Sequence, residues 1–467
     1  MKKFLAFGVL LALTIIGLGC GSNSSSNSNL NSNAQPGAVF MTGEDAPLAS
    51  VVSFVVTLNS VTLNGKDGTA APVITTPVTV DFARLVGLRA PLAFNSVPPD
   101  TYVSATFVLA NPKIAWVDWT QNPPTMGAPI AGTFPGNQNP FSITVQFPKA
   151  MDVSSNGLAG LRMEMDIKDS VAVDNNGQVT GAVNPVIHVK ATKASDPDGR
   201  ITDLTGGLVS VDSAGNSFVL QGPYGRQRTI DVNGSTNFNS GWSINNLAPP
   251  AFVAVQGRFQ ADGSLLADSV EVITTARSFV SGRVLQVVNN NAGQAQQVTM
   301  WVGETGADMV SDVDTIQTFD ISAVSTYEIC FLDGILQNIL FNNTSIEVGQ
   351  RIFIGGDFAN PTFTPTKISL RRQGFYGTFM PGTVTVNNGN AGSFEISNNG
   401  LIGFSVGGPV TVNTFTFTDF TDGLTGLDQL QTTTTGVPLI MRGLFLKNPG
   451  TGVPQVYAGV VADPPTN

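Results

Sequence analysis

The sequence predicts an all-β protein, in which a β-sandwich is followed by three small β-barrel modules. Val, Thr, Ile and Phe dominate beyond the first segment, and apolar and polar residues alternate, as in SFVVTLNSVTL over 53–63. The chain has 50 Gly and 28 Pro in 467 residues, so turn residues separate the alternating runs at short intervals, which is typical of sandwiches and barrels. At most a turn or two of helix fits, near 81–88 and 158–165.

The first predicted domain is the sandwich, over 37–195. Its strand SFVVTLNSVTL alternates from Phe54 to Leu58, and the alternation then shifts by one residue at 59–60. Such a shift predicts a β-bulge, because a strand keeps its apolar residues on one face only while the period of two is unbroken. The polar run SDPDGR at 195–200 is predicted to be a linker.

A degenerate repeat follows the sandwich. Each copy has an apolar strand ending in Gly-x-Phe, then a polar turn and a second alternating strand, and the glycines are Gly257, Gly356 and Gly443. These repeats are too long for solenoid coils and have the right size for small barrels. The glycine is expected to allow a tight strand bend. The predicted barrel modules span 203–275, 278–372 and 374–463.

Residues 1–20 predict a lipoprotein signal peptide. Two lysines precede an apolar run, and Gly17-Leu18-Gly19-Cys20 resembles a bacterial lipobox, in which the cysteine is lipidated, with palmitate among its acyl chains. An ordinary signal peptide and an uncleaved membrane anchor are the competing interpretations. The Ser/Asn-rich segment 21–36 carries no charge and is predicted to be a disordered tether.

Location and partners follow from this signal and from the charge. Because of the lipid anchor, a membrane is the first expected partner. An Asp directly after the cysteine would favour retention in the inner membrane. The residue there is Gly21, which favours the outer membrane, with the protein facing the periplasm or the cell surface. The formal net charge of −10 excludes nucleic acid as an expected partner, because an acidic surface repels it. An envelope polysaccharide or another protein remains as the expected partner.

No catalytic constellation is recognisable, so the sequence predicts no enzyme, no catalytic residue and no cofactor. The only histidine, His188, removes His-rich metal sites and most His-based catalytic arrangements. A glycan hydrolase that uses scattered carboxylates stays open as an alternative. Cys330 has no disulfide partner if Cys20 carries lipid, and it is predicted to be a buried core residue.

Two sets of residues are candidates for ligand sites. Asp419, Asp422 and Asp428 could supply oxygen ligands for a structural calcium ion, although aspartates in Gly-rich turns are also common simply as turn residues. Trp116 and Trp119 in AWVDW could form a sugar-binding platform, although their opposite parity on a strand favours core packing.

The opening GAVFMTGEDAPLASVVSFVVTLNSVTL and the later GGLVSVDSAGNSFVLQGPYGRQRTIDVNGSTNF carry a resemblance to a known family. They resemble bacterial envelope lipoproteins known only through domains of unknown function. The resemblance implies an N-terminal β-sandwich and repeated small barrels that look OB-like, and it brings no catalytic residues. We therefore expect a lipid-anchored cell-envelope protein with a non-catalytic structural, adhesive or ligand-binding role. A carbohydrate-binding lipoprotein is the alternative.

Overall fold

The computed structural model describes most of the chain beyond the signal and the tether. The described residues are 35–46, 48, 50–85, 88–118, 121–174, 178–330, 339–398, 408–448 and 451–463. They form 32 strands and two short helices, α1 (Ile167–Ser170) and α2 (Leu427–Thr432), which confirms the all-β prediction. No helix among the described residues is long and apolar enough to cross a membrane.

The sandwich contains thirteen strands in two main sheets and one hairpin. They are β1 (Gly37–Ala46), β2 (Val51–Gly65), β3 (Ala70–Ile74), β4 (Val78–Asp81), β5 (Ala90–Val97), β6 (Asp100–Asp118), β7 (Thr125–Met126), β8 (Ile130–Ala131), β9 (Phe141–Val153), β10 (Leu158–Asp166), β11 (Val171–Val173), β12 (Val179–Val183) and β13 (Ile187–Thr192). One sheet has the order β13-β10-β1-β5. The other has the order β3-β2-β6-β7, with β4 on β2 and with β8 and β9 on β6, while β11 and β12 form the hairpin. A common apolar core joins the two main sheets.

The local predictions for the sandwich were one bulge and two short helical segments. The register of β2 on β6 shifts between Leu58 and Ser60, which confirms the predicted β-bulge. The helix expected near 158–165 is wrong, because this segment is the central strand β10. From Leu161 to Asp166 apolar and charged residues alternate with the period of two of a strand, and the charged Arg162 and Glu164 are buried along with their apolar neighbours. Near 81–88 the structure has only a 3-10 turn, Phe82–Leu85.

The first barrel has six strands, five of which form a closed ring. Its strands are β14 (Ile201–Asp212), β15 (Ser217–Gln221), β16 (Gln227–Asp231), β17 (Asn237–Phe238), β18 (Phe252–Phe259) and β19 (Leu265–Thr274). The pairing order β14-β15-β16-β19-β18 returns to β14, and the β16–β19 pair that closes the ring is parallel. The short strand β17 also pairs with β19 in parallel.

The second and third sheets repeat this order. The second contains β20 (Phe279–Asn289), β21 (Ala295–Thr305), β22 (Thr315–Asp320), β23 (Thr326–Ile329), β24 (Arg351–Ala359) and β25 (Thr362–Leu370). Its order is β22-β21-β20-β24-β25-β23, and within the described residues β22 contacts β25 without a strand pairing. The third contains β26 (Gln373–Phe379), β27 (Thr385–Asn388), β28 (Ala391–Asn398), β29 (Val410–Thr414), β30 (Asp419–Thr421), β31 (Pro438–Lys447) and β32 (Pro454–Ala462). It closes in the order β26-β28-β29-β32-β31, with β29 and β32 parallel.

The repeated glycines occupy the same place in all three sheets. At Gly257, Gly356 and Gly443 the register of the strand pair shifts by one residue. A Cβ atom at these positions would lie 2.3, 2.2 and 2.0 Å from a carbonyl oxygen of the neighbouring strand. The predicted tight bend is therefore a β-bulge at which two backbones approach too closely for any side chain.

The modules share their cores. Phe40 of β1 stacks on Phe259 of the first barrel with ring centroids 5.0 Å apart. Leu444 and Leu446 of β31 belong to the apolar core of the second sheet. The predicted linker at 195–200 contains a 3-10 turn whose Asp198 is buried and ion-paired. The barrels are therefore packed against the sandwich and against each other.

Candidate functional site

A cavity of about 180 Å³ lies where the sandwich, the first barrel and the second sheet meet. Residues from β2 and from 79–92 line its sandwich side, and residues from β14 and the β15–β16 hairpin line its first-barrel side. The described lining includes six arginines and three carboxylates, although the protein as a whole is acidic. The distribution of these charges is the most informative feature of the cavity.

The second sheet contributes a row of three side chains to the cavity. Arg283 on β20 is paired across the sheet with Trp301 on β21 and with Arg351 on β24. Their sequence neighbours Val284, Met300 and Ile352 belong to the core of the second sheet. Because successive side chains point to opposite faces of a strand, the row Arg283, Trp301 and Arg351 lies on the outer face of that sheet.

Three of the six arginines are held by carboxylates. The Arg84 guanidinium contacts Asp81 and Asp314 at 2.9 Å each, and it lies 5.5 Å from the centroid of the Trp301 ring. Arg89 contacts Glu44 at 3.0 Å and Asp198 at 3.2 Å, and Arg351 is ion-paired with Asp203. These arginines are fixed structural bridges between modules, and their charges are compensated.

Arg226 and Arg228 have no carboxylate partner among the described residues. Both donate to the backbone carbonyl of Leu92, and Arg226 also donates to the carbonyl of Pro91 at 3.3 Å. Burial and the neighbouring charge of Arg228 lower the pKa of Arg226 to about 10, and burial also lowers the pKa of Arg228. Neutral carbonyls orient these guanidinium groups but leave two positive charges without a counter-ion.

Arg283 is the third arginine without a carboxylate partner. In the described part of the chain its guanidinium makes no hydrogen bond and no ion pair. Burial and the charge of Arg351 lower its pKa to about 10, while Asp45 offsets part of this effect. Burial raises the pKa of Asp45 well above its usual value, and among the described residues no hydrogen bond or ion pair joins this carboxyl group to Arg283.

The remaining lining is largely apolar. Val51, Val52 and Leu92 of the sandwich and Leu220 of the first barrel contribute buried aliphatic surface. Trp301 is 6% exposed, and its buried indole N–H has no hydrogen-bond partner in the described part of the protein. The cavity therefore combines an apolar body with uncompensated guanidinium groups, which suits a ligand that has both an apolar part and a negative charge.

Tyr224 lines the same cavity from the β15–β16 hairpin. It is 51% exposed and adopts a positive φ of 59°, which few side chains other than those of Gly, Asn and Asp adopt readily. Strained backbone of this kind concentrates at binding sites, where the surrounding structure holds a side chain in place. Tyr224 is therefore positioned between the cavity and solvent.

Two buried ionic networks lock the modules together beside the cavity. In the first, Glu44 of β1 accepts from Arg89 at 3.0 Å, from Arg442 of β31 at 2.7 Å and from Arg162 of β10. Burial alone would raise the pKa of Glu44, but the three arginines outweigh it and lower the pKa to about 2. This network joins the sandwich to the third barrel.

The second network joins the first barrel to the second sheet. Arg371, just after β25, contacts Asp203 of β14 at 3.0 Å and Glu271 of β19 at 2.8 Å. All three side chains are at most 4% exposed. Asp203 also pairs with Arg351, whose side chain reaches the cavity, so this network fixes one wall of the cavity.

The three calcium candidates do not gather into a site. Asp422 contacts Arg162 at 2.9 Å and is also paired with Lys190, so both of its carboxylate oxygens already face cations. Asp419 on β30 and Asp428 on α2 are exposed. Among the residues that the structure describes, no three His, Cys, Asp or Glu side chains are grouped so that they could hold a metal ion.

None of the remaining sequence candidates among the described residues lines the cavity. Trp116 packs against the sandwich core over Gly127, where a Cβ atom would lie 2.0 Å from its indole ring. Trp119 and the lipidation candidate Cys20 lie outside the described residues. Cys330 is buried, and His188 lies half-buried with Nε2 3.9 Å from Asp166.

Sequence reasoning missed the arginines of the cavity. The GPYGRQR hairpin, with two arginines at the same parity beside a glycine turn, was a signal that could have identified Arg226 and Arg228. No local signal marks Arg283. Its neighbours Trp301 and Arg351 become adjacent only through strand pairing.

Comparisons with known proteins match two parts of the chain. A family model described as a domain of unknown function, DUF4382, matches residues 38–180, which lie in the sandwich. A second, also described as a domain of unknown function, DUF5666, matches residues 198–271, which cover the first barrel. No curated protein matches the chain. The chain is thus similar to uncharacterised families in two of its β modules.

Proposed function

We propose that this protein is a lipid-anchored protein of the bacterial cell envelope that binds a small ligand without transforming it. The binding site is the cavity between the sandwich, the first barrel and the second sheet. The observation that carries the proposal is the pairing of apolar walls with guanidinium groups that lack a counter-ion. A few convergent polar groups in an apolar cavity are the usual composition of a small-molecule site.

Binding fits the cavity better than catalysis does. Its uncompensated groups are arginines, which stay protonated near neutral pH and cannot exchange protons as general acids or bases. Its three carboxylates are engaged by donors: Asp81 by Arg84, Asp203 by Arg351, and Glu304 by the Thr205 hydroxyl at 2.7 Å. The charged groups therefore support recognition of a ligand.

The binding proposal is tested by unfolding of the purified full-length protein in the presence of small organic compounds, both neutral and charged. We expect at least one compound with an apolar body to raise the unfolding temperature, because a ligand that binds only the folded state stabilises it. Ala83→Leu is the matched control, since Ala83 lines the cavity from a half-buried position and the larger side chain would occupy ligand space. Stabilisation that persists unchanged in this variant would contradict binding in the cavity.

The anchoring proposal rests on the lipobox-like residues around Cys20 and on the uncharged segment that follows them. We expect the protein to incorporate radioactive palmitate in bacterial cells and to fractionate with the outer membrane. Cys20→Ala should abolish the label, whereas Cys330→Ala should retain it, because Cys330 is buried in the fold. Label that is retained in Cys20→Ala would overturn the proposed anchor.

A further inference from the structure

We infer that the ligand of this cavity is a small organic anion, with a carboxylate or phosphomonoester head that binds Arg283 and an apolar body that packs beside Trp301. This inference rests on the proposed function and narrows it to one chemical class. Three features of the cavity support it: the surroundings of Arg283, the compensation of the other charges, and the size and lining of the cavity.

The surroundings of Arg283 point to a missing anion. Its cross-strand neighbours are Trp301 and a second arginine, Arg351, so the pairing itself places like charges side by side. Arg351 is neutralised by Asp203, and Arg84 is neutralised by Asp81 and Asp314. Arg283 has no such partner among the described residues, although it lines the same cavity.

A half-buried guanidinium without a partner, such as that of Arg283, is costly to the folded protein. Removing a charge from water is unfavourable unless an opposite charge and hydrogen bonds replace the lost solvation. A carboxylate or phosphate supplies both, because its oxygens match the planar donor fork of arginine. Binding of such a head group would therefore be favourable, because it would replace the solvation that Arg283 has lost.

A second cationic element strengthens the preference for an anion. Arg226 and Arg228 line the cavity from the first barrel, and within the described residues their guanidinium groups meet only backbone carbonyls. The positive potential of the cavity therefore arises from two modules. A cation would be repelled, and a neutral compound would leave these charges uncompensated.

The apolar lining and the volume limit the body of the ligand. A cavity of about 150 Å³ lined by aliphatic and aromatic side chains accommodates a benzene ring. At about 180 Å³, with Val51, Val52 and Leu92 opposite the sheet of Trp301, this cavity fits a ring-sized body with a small head group. A bare inorganic ion would leave the apolar surface unfilled.

The experiment compares four probes by calorimetric titration of the full-length protein: benzoate, phenyl phosphate, benzyl alcohol and inorganic phosphate. Benzoate and phenyl phosphate have both an anionic head group and an apolar ring. Benzyl alcohol has the ring with a neutral head group, and inorganic phosphate has no apolar ring. We expect one of the first two to bind at least tenfold more tightly than the last two. Arg283→Gln should weaken that binding by roughly ten- to hundredfold, the usual effect of losing a charge-assisted hydrogen bond.

Arg258→Gln is the matched control, because Arg258 pairs with Asp268 on the first barrel, is 39% exposed and does not line the cavity. It should retain wild-type affinity, and the unfolding temperature of each ligand-free variant reports on its folding. Whichever of benzoate and phenyl phosphate binds with the higher affinity then identifies the head group as a carboxylate or a phosphomonoester.

The remaining outcomes separate the inference from the function on which it rests. If benzyl alcohol bound as tightly as the anions, or if the anions still bound to Arg283→Gln, the inference that the ligand is an anion bound by Arg283 would be wrong. The proposal that the cavity binds a ligand would remain. If inorganic phosphate bound as tightly as phenyl phosphate, the claim that the ligand has an apolar body would be wrong. If none of the four probes binds, and no compound stabilises the protein, the inference and the proposed function both fail.

Discussion

Arg283 and Trp301 lie directly opposite each other on β20 and β21, on the outer face of the second sheet. Arg84 of the sandwich approaches the same indole ring, at 5.5 Å from its centroid, and is held there by Asp81 and Asp314. The Trp301 ring thus lies beside Arg84, whose charge is compensated by carboxylates, and beside Arg283, which has no carboxylate partner among the described residues. This contrast defines the cavity and leads to the first prediction.

Arg283→Met should stabilise the ligand-free protein by up to about 1 kcal/mol, because an apolar chain of similar length replaces an uncompensated, half-buried charge. Thermal unfolding of the ligand-free protein measures the effect. Arg371→Met is the matched comparison in the same sheet and should destabilise by about 3–5 kcal/mol, since it leaves Asp203 and Glu271 without their buried partner. A loss of stability in Arg283→Met would mean that Arg283 serves the fold.

Glu44→Gln should destabilise the protein by about 3–5 kcal/mol near neutral pH, because three arginines lose a buried counter-ion. The folded pKa of about 2 lies below the usual 4.5, so the contribution of ionised Glu44 is fully present above pH 4.5. It is lost as the pH falls from 4.5 toward 2. Denaturant unfolding across this range should therefore show a smaller acid-induced loss of stability in the variant. Parallel wild-type and variant curves would contradict this role of Glu44.

Gly443→Ala should destabilise by about 1–3 kcal/mol, because its Cβ would lie 2.0 Å from the Tyr457 carbonyl oxygen. Gly207→Ala provides the control in a strand of the first barrel, since no atom lies within 4 Å of its added Cβ and its φ is not positive. That substitution should be neutral or stabilise by about 0.4–1 kcal/mol through the unfolded chain. Equal effects in urea unfolding would show that close approach does not explain the repeated glycine.

Asp422→Asn should destabilise by about 3 kcal/mol, because Arg162 and Lys190 lose an anionic partner at a buried position. Calcium or a chelator should leave the unfolding temperature of the wild-type protein unchanged, since both oxygens of Asp422 already face cations. The calcium hypothesis predicts the opposite result, namely a higher unfolding temperature with calcium that Asp422→Asn abolishes. Calorimetric scans with calcium and with chelator distinguish the two.

Local features of the chain were predictable because they depend on residues close in sequence. The alternation that shifts after Leu58 identified the bulge in β2, and the Gly-x-Phe pattern identified three equivalent bends. The strand β10 was predictable from the alternation of Leu161, Met163 and Met165 with Arg162 and Glu164, and the helix expected there disregarded it. The burial of Arg162 and Glu164 was not predictable, because their partners are distant in sequence.

By itself the sequence determined an all-β chain with repeated modules, through strand periodicity and turn chemistry. Only the tertiary structure decided which charges meet. Glu44 and Arg442 lie 398 residues apart, yet they share a buried ion pair. The sequence alone does not distinguish Arg283 from Arg84 and Arg351. In the described part of the fold, Arg84 and Arg351 form ion pairs with carboxylates and Arg283 does not. The physical reason is that ionic compensation depends on distances of a few ångströms in space, which strand pairing and module packing set.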